Sequence, residues 1–319
     1  MNWKNWAVVL AAATLHAPAW AQYPDKPVRI IVPFGVGGSN DICQRVAAQN
    51  LQQITGKPFV VENKPGATGQ IAYQAVATAP PDGYTLVSVD GSYPMLPFQF
   101  KTLAWDFEKD LVPISMYCKI AYVLTTSNAS GIKSLKDLVA RAKANPGKLN
   151  YGSGGVGNSN HLLTELISKQ AGIQMTHVPF KGAGDANTAL MAGNIDVNLA
   201  AVGTAIGQIK SGQIVALAVT SAERVPALPD VPTLTELGLP FEVFQWYGAM
   251  APKGTPKAVV NYLQQEMLKM TKSKEFRDTM SARGFSPVDA MPGEALSKLI
   301  VSDTERWRNA FGAAGIKPE

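Results

Sequence analysis

The sequence predicts an α/β protein of two lobes, each a mainly parallel sheet flanked by helices. Three observations predict it. A β-like run ending in a Gly-rich loop that opens into an amphipathic helix occurs twice. Strand-like and helix-like segments alternate after each copy. The chain, 319 residues, is long enough for two lobes of ordinary domain size, ~100–200 residues each.

The first copy runs Val28 to Phe34, then Gly35-Val36-Gly37-Gly38-Ser39-Asn40, then a helix from Asp41. Ile42, Val46, Ala47, Leu51 and Ile54 recur at helical spacing, and Gly56 ends that helix. Phe59-Val60-Val61 reads as a short strand, Ile71 to Ala79 as a helix and Tyr84 to Val89 as a strand. The second copy runs Lys148 to Tyr151, then Gly152-Ser153-Gly154-Gly155-Val156-Gly157-Asn158, then a helix from Ser159 that Gly172 stops. Met175 to Val178 is its next strand. The β-prone segment Phe241 to Tyr247 is expected to return the chain to the first lobe, ahead of helices at 256–271, 274–283 and 294–314. The expected lobes are 22–123 plus 243–319 and 124–242, with a ligand cleft between them.

Residues 1–21 have the pattern of a secretory signal peptide. Lys4 precedes the apolar run Ala7–Ala13, and Ala19-Trp20-Ala21 fits small-x-small cleavage after Ala21. The run is shorter than the ~20 residues a membrane span needs, so a soluble, exported mature chain is expected, and the resemblance described below implies the periplasm. The formal charge is +5, including Lys4, and is spread along the chain rather than gathered into a basic stripe, so nucleic-acid binding is not expected. Charged residues are 17% of the chain, below the ~25% common in soluble domains. For Cys43 and Cys118, two separate buried thiols are the first expectation and a disulfide the second. No metal-ligand spacing and no cofactor motif is complete.

A serine hydrolase would rest on Ser153 with His161, but G-x-S-x-G is not matched. His161 in the first turn of its helix reads as a loop brace, and His177 as a structural strand histidine. Gly152, Gly154 and Gly157 satisfy G-x-G-x-x-G, yet Met175-Thr176-His177-Val178 lacks the acid that a dinucleotide site wants. In the first loop Glu62 is suitably placed, but Asn40 replaces the third glycine. Binding without catalysis is the remaining reading. Helix starts leave backbone N–H groups unpaired and partly positive, and glycine allows close approach, so each loop is an anion seat. Ser39, Asn40, Ser153, Asn158 and Ser159 would add donors.

The run Tyr23 to Phe34 followed by Gly37-Gly38-Ser39-Asn40-Asp41 resembles the opening of Bug-type solute-binding proteins, the periplasmic components of tripartite tricarboxylate transport (TTT) systems. The resemblance continues through Val61 to Ala67, Pro81 to Leu86, Asn145 to Ser153, His177 to Gly182, Leu217 to Ser221 and Leu228 to Thr233. It implies a type II periplasmic-binding-protein (Venus flytrap) fold and a small carboxylate, a dicarboxylate or an aromatic acid among them, held between the two loops. It also implies a monomer that delivers this ligand to membrane permease subunits, or a sensing subunit for a membrane signalling partner. The expected ligand-binding residues are Phe34, Gly37, Gly38, Ser39, Asn40 and Asp41 in the first loop. Ser92, Tyr93, Ser153, Gly154, Gly157, Asn158, Ser159, His161, Phe180, Lys181, Ala201 and Trp246 complete the set. Asp41 is expected to brace its loop rather than meet an anion. This chain departs from relatives at Asn40, at Asp90-Gly91-Ser92-Tyr93-Pro94 and at Ala201, where many carry an acid. The missing acid there disfavours a ligand with a positive group at that wall and points to an apolar or aromatic carboxylate.

Overall fold

In a computed structural model, residues 23–180 and 182–318 are described. Residues 1–21, expected to be a signal peptide, and Lys181 therefore lie outside the described residues. In the first lobe, β1 (Val28–Val32) pairs in parallel with β2 (Phe59–Asn63) and with β3 (Thr85–Asp90). Their helices are α1 (Ser39–Thr55), α2 (Gln70–Ala77) and the short α3 (Leu96–Gln99). α1 starts two residues ahead of expectation because Ser39 and Asn40 already adopt helical geometry. Gly56 closes α1 at φ 68°, a left-handed conformation that glycine adopts without penalty.

β4 (Leu111–Ser127) is one strand of 17 residues that serves both lobes. Leu111 to Ala121 pair antiparallel with β9 (Phe244–Pro252), and Tyr122 to Thr126 pair antiparallel with β7 (Val197–Ala201). The partner change falls between adjacent residues. β8 (Ile214–Val219) also lies against the second half, and β10 (Phe285–Pro292) against the first. In the second lobe β5 (Asn150–Ser153) pairs in parallel with β6 (Thr176–Pro179) and β7. Parallel pairing thus holds in the outer βα units, and pairing around β4 is antiparallel. The strand order of the path is β2-β1-β3-β9-β4-β7-β5-β6.

Helices cover both lobes: α4 (Leu135–Ala144), α5 (Ser159–Ala171), α6 (Ala183–Met191) and α7 (Val202–Lys210) in the second. The tail helices α8 (Lys257–Lys272), α9 (Lys274–Ala282) and α10 (Gly293–Ala314) follow β9. α8 buries Leu263, Met267 and Met270 against α1 and β4, while α10 places Trp307 and Phe311 in the core of the second lobe. β10 was not anticipated, since its sequence, FSPVDAMP, carries two prolines and no clean alternation.

Cys43 on α1 and Cys118 on β4 are joined by a disulfide between fully buried positions, which corrects the first expectation of separate thiols. Only the packing of α1 across β4 brings these residues together, 75 positions apart in sequence. The double variant Cys43→Ala, Cys118→Ala is expected to lose about 2–4 kcal/mol through the freed unfolded chain, read as a lower urea midpoint. A midpoint equal to wild type would count against the crosslink.

Candidate ligand-binding site

Because β1 and β3 are parallel, their C-terminal ends share one edge of the sheet. That edge carries the first Gly-rich loop and the turn after β3, and chain reversals at such ends are where α/β sheets bind ligands. β5 presents the second loop from the other lobe. Between them lies a cavity of about 170 Å3 lined from the first loop by Phe34, Gly38, Ser39 and Asn40, and from the second by Asn158 and Ser159. Ser92 also lines it.

The first loop is held from behind. Asp41, 1% exposed, accepts from Gly37 N at 2.9 Å, Asn63 Nδ2 at 2.8 Å and Arg45 Nε at 3.0 Å. The N3 carboxylate thus reaches back to the residue ahead of the Gly38 N-cap. Burial by itself would raise the carboxyl, but the bonds from Arg45, Gly37 and Asn63 hold it below its ordinary value. Asp41 points away from the cavity, into its own brace. Asn40 donates from Nδ2 to Asp90 Oδ2 at 3.0 Å and accepts from Ser88 Oγ. Its amide orientation is set by these partners.

The second loop is braced too. Asn158 caps α5, its Oδ1 accepting from Asn160 N at 2.8 Å. His161 Nδ1 accepts from Gly157 N at 3.1 Å, and its ring stacks on His177 at 3.9 Å between centroids. Ser153 Oγ bonds to His177 Nε2 at 2.7 Å and accepts from Gly155 N. Ser153 is fully buried, so its hydroxyl turns into the loop and not into the cavity. Gly154 packs against the backbone of Gly182 and Ala183, where a Cβ would come within 3.0 Å of Ala183 N. Gly157 accepts from Gln99 Nε2 at 2.8 Å across the cleft.

The histidine stack has a pH consequence. Burial, and then the neighbouring His161 ring, push His177 down from 6.5 to about 4. Between those pH values the unfolded imidazole takes a proton that the folded one refuses. Stability present at pH 7 is therefore lost as pH falls from about 6.5 toward 4, by ~1–2 kcal/mol after allowance for solvent screening. Urea unfolding across that range checks this, and His177→Gln is expected to flatten the profile.

Four expected cleft residues stand elsewhere. Successive strand side chains face opposite sides. On β9, Gln245 and Tyr247 therefore face the cavity, and Trp246 faces away, donating from Nε1 to Asp303 at 2.8 Å. Tyr93 is buried between Tyr73 and Phe107, its hydroxyl donating to Phe107 O at 2.9 Å. Phe180 backs the second loop, its N–H donating to Ser153 O. Ala201 sits opposite Tyr122 in the β4–β7 ladder and caps α7.

The cavity also takes Thr68, Asp90, Met95, Gln99, Gln245 and Tyr247, which sequence reasoning missed. Asp90 lay in the segment marked as a departure, and alternation along β9 would have found Gln245 and Tyr247. Thr68 has φ 52° and Ala67 φ 46°, left-handed backbone that non-glycine residues seldom adopt and that tends to cluster at binding sites. Asp90 accepts from Ser92 N at 2.9 Å and from Ser92 Oγ on Oδ1, besides Asn40 on Oδ2. Burial pushes its carboxyl upward despite those bonds.

Two α/β lobes joined by crossing strands, with a cavity between two helix-opening loops, define a binding protein of the type II periplasmic class. The family model described as tripartite tricarboxylate transporter family receptor matches residues 43–316. The chain belongs to that family of solute-binding receptors. It is 35% identical to Protein BugT of Bordetella pertussis over 314 residues, covering 97% of this chain and 96% of that one. Among solved structures it is similar to R. palustris Rpa4515 with adipate, at TM-score 0.86 and 29% identity over 93% of this chain and 100% of that one. It is similar also to MatC from Rhodopseudomonas palustris with bound malate, at TM-score 0.76 and 28% identity over 90% of this chain and 99% of that one.

Proposed function

We propose that this protein captures a small carboxylate between its two loops in the periplasm and delivers it, as a monomer, to the membrane permease of a TTT system. It is a carrier rather than an enzyme. The observation that carries this reading is the shared cavity, where the N-terminal ends of α1 and α5 both open. Adipate in one structural neighbour and malate in another support the ligand class.

In this reading Gly38, Ser39, Asn158 and Ser159 meet the carboxylate, and bonds to a charged acceptor are worth ~1.5–3 kcal/mol each. Gly37, Asp41, Ser153, Gly154, Gly157 and His161 hold the loops in shape. The lobes are 22–123 with 243–319, and 124–242, and the partner change between Ala121 and Tyr122 supports that division. Thr220 bonds to both Tyr122 and Val243, tying the two crossings together as a hinge. Residues 1–21 act as the export signal.

The test is a melting-temperature screen over mono-, di- and tricarboxylates, with native mass spectrometry of freshly purified protein for cargo already bound. A ligand at a hundredfold its Kd adds about 2.7 kcal/mol, several degrees in Tm for a chain of this size. No shift with any carboxylate and no carboxylate cargo would sink the reading.

A further inference from the structure

The walls of the cavity carry two kinds of polar group. Ser39 Oγ, on a residue 8% exposed, has no hydrogen-bond partner among the described residues. The Tyr247 hydroxyl lies near it without bonding geometry. With the free N–H groups of the α1 start, this is a donor surface awaiting an acceptor. Other wall groups accept. Gln99 uses Nε2 on Gly157 O and leaves Oε1 without a partner among the described residues. Asp90, 3% exposed, takes two bonds on Oδ1 and only one on Oδ2.

Among the described residues no lysine, arginine or histidine lines the cavity, and Asp90 is the one carboxylate in its wall. An enclosed carboxylate without a counter-ion is costly. A second anion in about 170 Å3 would make it worse. Three donors to Asp90 favour its ionised form, whereas burial opposes it. A positive group on the guest would settle that contest.

We propose that the guest is a small zwitterionic carboxylate, its anionic end at Ser39 and the loop amides and its ammonium-type N–H group accepted by Asp90 and Gln99. Asp90 then sets specificity. This rests on the reading of the cavity as a carboxylate seat. It places the positive end of the guest at β3, away from the Ala201 wall where an acid is missing. It also replaces the expectation of a purely apolar or aromatic acid. A plain dicarboxylate would instead need Asp90 protonated.

The experiment is calorimetry on matched pairs: L-aspartate with succinate, L-glutamate with glutarate, 4-aminobutyrate with butyrate. Wild-type protein is expected to bind the amino member of at least one pair tenfold or more tighter than its partner. Asp90→Asn, which keeps an acceptor for Ser92, is expected to erase that preference and bind the plain acid better. Wild type binding succinate, glutarate and butyrate as tightly as their amino partners overturns the inference while leaving the carboxylate seat intact. An amino preference that survives Asp90→Asn overturns the role of Asp90. If that variant does not fold, Gln99→Ala in its place and the wild-type pairs decide. Silence from every carboxylate, these and those of the melting screen, sinks the carboxylate reading itself.

Discussion

Replacing Gly248 with alanine is expected to destabilise the protein by about 3 kcal/mol or more, lowering the urea midpoint or abolishing cooperative unfolding. Gly248 sits in β9 where it faces β4 on one side and β3 on the other. A Cβ there would stand 2.3 Å from Ser115 O and 3.1 Å from Met116 Cα. Both neighbours are backbone, so no side chain can rotate away. The β4 ladder shifts register on either side of this point, between Pro113 and Ser115 and between Met116 and Cys118. Irregularities of that kind let two backbones approach where only glycine fits. Gly248 O also accepts from Gln44 Nε2 and from the Tyr117 hydroxyl. Displacing the strand would strip these buried groups as well. Circular dichroism in urea checks the prediction, and an unchanged midpoint would refute it.

Asp41→Ala is expected to weaken ligand binding by about tenfold to a hundredfold, with a stability loss near 2 kcal/mol. The carboxylate makes no contact that a ligand needs. It holds Gly37 N, Asn63 Nδ2 and Arg45 together behind the loop. Removing it leaves Gly37 N without its acceptor, while Asn63 Nδ2 keeps only Phe34 O and Arg45 only Asn63 Oδ1. The loop that presents Gly38 and Ser39 would then be ordered only on binding, and that ordering cost appears as lost affinity. Calorimetry with whichever carboxylate gives the largest melting shift measures it. Affinity equal to wild type would show that the loop keeps its shape without the brace.

Much of the fold was legible because it rests on local rules. The stops at Gly56 and Gly172, the strand at Phe59 and the tail helices follow from periodicity and capping, which act over a few residues. Gly38, Ser39, Asn40, Asn158 and Ser159, which line the cavity, lie in loops that a strand–Gly loop–helix pattern announces in a short window. Trp246 and Tyr93 misled because aromatic mass marks burial without marking direction. One residue of register decides whether a strand side chain meets a ligand or the core. Asp90 stood in plain view in the sequence, but nothing near it in the chain said that Asn40, fifty residues earlier, would hold it at a cavity wall.

The sequence by itself determined the alternation of strands and helices, the two Gly-rich loops and the family to which the chain belongs. These depend on neighbours along the chain and on short runs whose meaning does not change with the surroundings. Tertiary structure alone decided that β4 would serve both lobes, that Cys43 would meet Cys118 and that Asp90, Gln99, Gln245 and Tyr247 would share a cavity with the loops. Those outcomes are set by which strand edges pair and in what register, a choice made by packing between residues far apart in the chain.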